Sequence, residues 1–131
     1  TDAGEVVCVR QYRYALGQVT LEIPAGKFDY LGEDHREAAL RELREETGYT
    51  ATHLTPIGCY IPSPAVLTER IYLYLAEGLV AGQEERDEDE FLYTERRPLT
   101  ELCRMVMNGE IEDGKTQTAL LKTLLLRKES L

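Results

Sequence analysis

Arg41-Glu42-Leu43-Arg44-Glu45-Glu46-Thr47-Gly48 is the stretch that decides the reading of this chain. On a helix, Glu42 and Glu46 lie one turn apart and Glu45 takes the i+3 position from Glu42. Residues so spaced are about 5–6 Å apart, and like charges there repel by a few tenths of a kcal/mol per pair. Three carboxylates on one side of a helix therefore call for positive charge. Arg41 and Arg44 supply part of it, and alone they would make this a solvated, salt-bridged helix face. The spacing is also the geometry of a divalent-cation site, and the residues around it favour that second reading.

Working outward, Asp34 followed by Glu37 reads as a capping box, and Gly48 is placed to end the helix in the left-handed conformation. Ala38, Ala39, Leu40 and Leu43 supply a buried stripe. The preceding segment, Ile23-Pro24-Ala25-Gly26-Lys27-Phe28-Asp29-Tyr30-Leu31-Gly32-Glu33, passes from strand to loop to helix, punctuated by Pro24, Gly26 and Gly32. Glycines let a loop backbone approach a ligand closely. A carboxylate-rich helix beside such a loop suits a metal-plus-phosphate site, because Mg²⁺ is held by carboxylates, waters and substrate phosphate oxygens.

These residues resemble the signature of the Nudix hydrolases, G-x5-E-x7-R-E-U-x-E-E-x-G-U, where U is a bulky apolar residue. The match is complete from Glu33 through Gly48 and closes on Tyr49, where an aliphatic residue is more usual. Six residues, not five, separate Gly26 from Glu33, so the loop carries a one-residue insertion around Tyr30-Leu31. An added loop residue costs little closure entropy, and the helix is expected to keep its place while the loop bulges. So many identities at fixed spacings make a far more specific signal than a lone glycine motif.

Other segments resemble the ADP-ribose pyrophosphatase-like branch: Val9 to Tyr14, Leu21 to Gly26, Ser63-Pro64, the acidic run Asp87 to Phe91, and Gly109 to Thr116. A proline about sixteen residues beyond the signature is similar to the mark of that branch; Pro64 stands there, with Pro62 close by. The resemblance implies an α/β Nudix fold, an α/β/α sandwich with a mixed β-sheet, formed by residues 1–131 as a single domain. It implies hydrolysis of the pyrophosphate bond of a nucleoside diphosphate derivative, ADP-ribose giving AMP and ribose 5-phosphate. A nucleotide sugar such as GDP-mannose and a dinucleoside polyphosphate are alternative substrates. A non-catalytic ligand-sensing Nudix module is the alternative of another class, and intact metal glutamates without a basic patch favour the enzyme.

Carried over by position, the resemblance makes Glu42, Glu46, Glu45 and the backbone carbonyl of Ala25 the ligands of Mg²⁺ or Mn²⁺. Arg41 orients the glutamates, Glu45 shares in catalysis, and Glu33 fixes the loop. Hydrolysis also needs a group to take a proton from the attacking water. In this branch it comes from an acidic loop in the second half of the fold, so Glu90 is the preferred base here and Glu88 the second choice. By composition alone, that loop is a solvated tract. Substrate contacts fall to Gly26, Pro64 and Arg13, since arginine matches phosphate bidentately; an ion pair with strand neighbours is an equal reading for Arg13. His35 and His53 read as surface or structural histidines.

At 131 residues the chain is one domain's worth. Its net charge of −9 argues against nucleic acid or an anionic membrane as partner. Cys8, Cys59 and Cys103 lack metal-ligand spacing and read as reduced core residues, which places the chain in the cytoplasm. No signal peptide, bilayer-spanning apolar run or repeat is visible in the sequence. Strands are expected at Val6 to Tyr12, Val19 to Ile23, His53 to Tyr60, Arg70 to Leu79 and Phe91 to Glu95. Helices are expected at Asp34 to Thr47, Leu99 to Met107 and Thr116 to Lys128. Residues 81 to 89 read as a loop. Members of the branch carry further N-terminal strands that pair across a homodimer; a chain opening at Thr1-Asp2-Ala3-Gly4 is expected to lack them.

Overall fold

The structure, a computed structural model, describes residues 1–28, 30–82 and 93–128. Strands β1 (Glu5–Arg13) and β2 (Gln18–Glu22) precede helix α1 (His35–Thr47). Then come β3 (Tyr49–Tyr60), β4 (Ile71–Ala81), β5 (Tyr93–Pro98), α2 (Leu99–Met107) and α3 (Gly114–Arg127).

Every described strand pairing is antiparallel. One sheet has the order β2-β1-β5 and the other pairs β3 with β4. The sandwich expected from the sequence is present, but in place of one continuous mixed sheet the described strands form two antiparallel sheets. β1 is the middle strand of the first sheet, its two edges taken by β2 (Val9↔Glu22 to Arg13↔Gln18) and β5 (Glu5↔Pro98 to Arg10↔Tyr93). Arg10 and Glu95 add an ion pair across the β1–β5 seam.

β4 shows why the assembly is layered. Leu73 packs with Ile57 and with Ala119 of α3, joined by Ile71 and Leu75. Tyr72, on the opposite face, stacks on His35 of α1 with ring centroids 3.6 Å apart. Alternation of side chains along a strand thus hands one face to each helix layer. In α2 the residues Leu99, Leu102, Cys103 and Val106, at i, i+3, i+4 and i+7, are all buried. They form the main core with Cys8, Leu21, Ile111 and Leu120.

Boundaries move where local chemistry dictates. β3 begins at Tyr49, not His53, because Gly48 at φ 77° turns the chain directly out of α1 and Tyr49 pairs with Ala81. Its register shifts between Pro56 and Gly58, where proline has no N–H to give the ladder. Cys59 follows that bulge and is exposed, unlike the core residue expected; Cys8 and Cys103 are buried, and all three thiols are free. Burial foremost, then the nearby Glu95 carboxylate, pushes the Cys8 thiol up to about 12. β5 starts at Tyr93, with Phe91 outside the described residues, and α3 starts earlier than Thr116 because Asp113 caps it.

Candidate active site

α1 positions the site. The Asp34 side chain accepts the Glu37 N–H at 3.2 Å, and the Gly48 N–H returns to the Arg44 carbonyl at 2.8 Å, which fixes both helix ends. The segment Ile23 to Lys27 runs alongside. The Ala25 N–H donates to Glu46 Oε2 at 3.0 Å. Gly26 lies so close to Glu42 that an added Cβ would fall 1.9 to 2.3 Å from its carboxyl atoms. Two carboxylates, one turn apart, are thus held against consecutive residues of one loop.

Arg41 ties the arrangement together. It grips Glu33 through Nε and Nη2, both at 3.2 Å, and donates from Nη1 to Glu42 at 2.7 Å and to Glu45 at 3.1 Å. Nη2 also donates to the Lys27 carbonyl at 2.8 Å. Glu33 arrives there despite the loop insertion, because the Glu33 N–H closes a turn on the Tyr30 carbonyl at 3.2 Å and Gly32 takes φ 87°. Leu31, inside the turn, is fully exposed: the extra residue is pushed outward and the helix stays in register.

The donor set is four carboxylates and a loop backbone, all hard oxygens of the kind that magnesium and manganese take. Among the described residues no group of three acidic, histidine or cysteine side chains is placed to hold a metal ion by itself. Mg²⁺ characteristically keeps several waters and shares its shell with substrate phosphates. A cavity of about 820 Å³ opens beside the loop, lined by Ala25, Gly26 and Glu42, by Tyr72 and Leu73 of β4, and by Lys115 of α3. That is the size range of a small-molecule site.

The sequence-predicted residues divide into three groups. Ala25, Gly26, Glu33, Arg41, Glu42, Glu45 and Glu46 are brought together. Arg13 and Pro64 are not among the residues lining the cavity. Glu88 and Glu90 lie outside the described residues. Pro64 is exposed in the segment after β3. Arg13 holds Glu22 through two hydrogen bonds, at 2.8 and 2.7 Å, which is the ion-pair reading of that residue.

Two groupings escaped the sequence reading. His35 is sandwiched between Tyr72 and Phe28, the latter ring 5.1 Å away. Glu22, 4% exposed, receives Arg13, Thr20 and Lys115, with Lys115 Nζ at 2.7 Å. Burial pushes the Glu22 carboxyl up, but hydrogen bonds from Arg13, Lys115 and Thr20 outweigh it and hold it at about 2. Lys115 mirrors this: burial lowers it, and Glu22 and Asp113 raise it above the ordinary lysine value. The available signal was a charged residue in the last position of an otherwise apolar strand end, Leu21-Glu22-Ile23.

The profile of the NUDIX domain family matches residues 1–119. The chain belongs to the Nudix family. It is 42% identical over 122 residues to the ADP-ribose pyrophosphatase of Bacillus subtilis, covering 92% of this chain and 65% of that protein. It is 36% identical over 112 residues to the ADP-ribose pyrophosphatase of Mycobacterium tuberculosis, covering 84% of this chain and 54% of that one. A GDP-mannose pyrophosphatase of Citrobacter koseri is 35% identical over 122 residues, 85% of this chain and 62% of the relative. The crystal structure of an ADP compounds hydrolase superposes with a TM-score of 0.85 at 26% identity, over 96% of this chain and 68% of that one. This Nudix chain thus spans between about half and two thirds of the length of these curated relatives.

Proposed function

We propose that this Nudix protein hydrolyses the pyrophosphate bond of a nucleoside diphosphate derivative, with ADP-ribose as substrate and AMP and ribose 5-phosphate as products. The observation that carries the proposal is the placement of the Glu42 and Glu46 carboxylates against Gly26 and Ala25, with Arg41 fixed among Glu33, Glu42 and Glu45. Glu42, Glu46 and the Ala25 carbonyl would hold Mg²⁺ or Mn²⁺, with Glu45 as a further ligand. The bound cation supplies charge neutralisation on the non-bridging phosphate oxygens.

This chain's own side chains do the rest. Arg41 keeps three carboxylates from swinging apart under mutual repulsion, and Glu33 anchors Arg41 in turn. Gly26 leaves room for Glu42 and for the substrate diphosphate. Glu90, or Glu88 in its place, takes the proton of the attacking water. Arg13, engaged with Glu22, and Pro64 lie outside the cavity lining and are assigned no substrate contact in this reading. Choice of ADP-ribose is supported by the relatives of that name at 42% and 36% identity. The Citrobacter koseri relative supports GDP-mannose as the second reading.

We further place the protein in a homodimer in a reducing cytoplasm. Tyr14 and Leu16, at the tip of the β1–β2 hairpin, are 90% and 64% exposed, an apolar surface suited to a second copy. Three free thiols suit a reducing compartment. Rates measured against ADP-ribose, GDP-mannose and dinucleoside polyphosphates with Mg²⁺, alongside sedimentation, test this reading. Efficient cleavage of ADP-ribose by a strict monomer would refute the dimer, and a preference for GDP-mannose would refute the substrate.

A further inference from the structure

Pro24 has no N–H, so the segment that carries the site is pinned by its two neighbours. The Ala25 N–H donates to Glu46 Oε2 on α1 at 3.0 Å. The Ile23 N–H donates to Thr116 Oγ1 on α3 at 3.2 Å. One short stretch is thus clamped between the first turn of α3 and the last turn of α1, on opposite sides of the fold.

Thr116 is not a casual partner. It is 2% exposed, and its hydroxyl also donates to Asp113 Oδ2 at 2.6 Å, which fixes the direction of its lone pairs toward Ile23. Asp113 Oδ2 accepts in addition the Thr116 N–H at 3.2 Å and Lys115 Nζ at 2.9 Å. Lys115 Nζ reaches Glu22 at 2.7 Å, so the strand residue before Ile23 is tied to the same turn. Glu22 and Ile23 are therefore held by Lys115 and Thr116 in the first turn of α3, both of which are bonded to its N-cap, Asp113.

We propose that Thr116 is a positioning residue for the site: its hydroxyl sets the height of the Ile23–Gly26 backbone, and with it the place of Ala25 relative to Glu46 and of Gly26 relative to Glu42. This rests on the functional reading above. The geometric reason is leverage. Gly26 and Glu42 are in contact so close that no methyl group fits between them, so a small shift of the backbone at Ile23 changes which carboxylate oxygens face the loop. Misplacement of reacting groups by about 1 Å costs on the order of 100-fold in rate.

The test compares Thr116→Val, which keeps shape and removes the hydroxyl, with Thr116→Ser, which restores it. Amide hydrogen exchange is read at Ile23 and Ala25 by NMR, without substrate. In the Val variant both amides should exchange about tenfold faster while those of α2 are unchanged. With ADP-ribose, kcat should fall by about tenfold and the Mg²⁺ concentration giving half-maximal rate should rise, with KM little moved; the Ser variant should return all of these toward the parent. Unchanged exchange at Ala25 in the Val variant, or a Ser variant no better than Val, overturns the proposal. Should Val prevent folding, Thr116→Ala removes the hydroxyl with less steric demand and is read the same way. In the unsubstituted protein the two amides should exchange together, and independent exchange also overturns the clamp. A parent protein inert toward every nucleoside diphosphate defeats the functional reading, while the exchange measurements still decide the role of Thr116.

Discussion

Replacing Gly26 by alanine separates the site from the fold. Gly26 does not have a positive φ, so its backbone accepts an L side chain, and the substitution even removes entropy from the unfolded chain, worth about 0.4–1 kcal/mol. The new methyl group, however, would sit 1.9 Å from the Glu42 carboxyl carbon. Ordinary carbon contacts lie at about 3.5 Å or beyond, so the carboxylate must retreat by roughly 1.5 Å. It is the far end of a flexible side chain, and the retreat weakens its 2.7 Å bond to Arg41 Nη1. Loss of a charge-assisted hydrogen bond costs about 1.5–3 kcal/mol at most, part of it offset by the entropy gain. The melting temperature should therefore fall by no more than about 10 °C. A displacement of that size in a ligand of the proposed cation should lower kcat/KM by about 100-fold or more and raise the Mg²⁺ requirement. Thermal denaturation and initial rates with ADP-ribose across a Mg²⁺ titration measure both. Parental rates at the parental Mg²⁺ requirement would show that Glu42 is not held where the reasoning puts it.

Glu46→Gln keeps an oxygen acceptor for the Ala25 N–H and removes only charge, so the fold should persist while activity falls by about three orders of magnitude; near-parental turnover would sink the ligand assignment. Glu22 has a carboxyl held at about 2 against an ordinary 4.5, so its contribution is fully present above about pH 5 and is lost as pH falls toward 2. The difference corresponds to about 3 kcal/mol, and acid denaturation of Glu22→Gln should show a correspondingly flatter pH dependence across that window; an unchanged acid profile would mean the carboxylate is not selectively stabilised by folding. Glu90→Gln should lower the rate without changing melting temperature, because like-charged neighbours in water gain nothing from proximity. A larger loss in Glu88→Gln would move the base two residues earlier.

The one-dimensional pattern was sufficient wherever structure follows from residues close in sequence. The helix from Asp34 to Gly48, its cap, its left-handed end and the alignment of Glu42, Glu45 and Glu46 along it all depend on spacing at 3.6 residues per turn, which a sequence carries directly. That Arg70 to Leu79 holds a strand and Leu99 to Met107 a helix was legible for the same reason. The division of the described strands into two antiparallel sheets was not, since it includes the pairing of β1 with β5, whose residues lie far apart in the chain. Nor was the exposure of Cys59, which a single bulge at Pro56 decides. Within the site, sequence spacing put three carboxylates on one helix, but only the tertiary structure placed Gly26 against Glu42, tied the Lys27 carbonyl to Arg41 across the insertion, and joined Glu22 to Lys115 over 93 positions. Those contacts are set by loop closure and packing between elements, where the partner's identity lies far along the chain and no local period announces it.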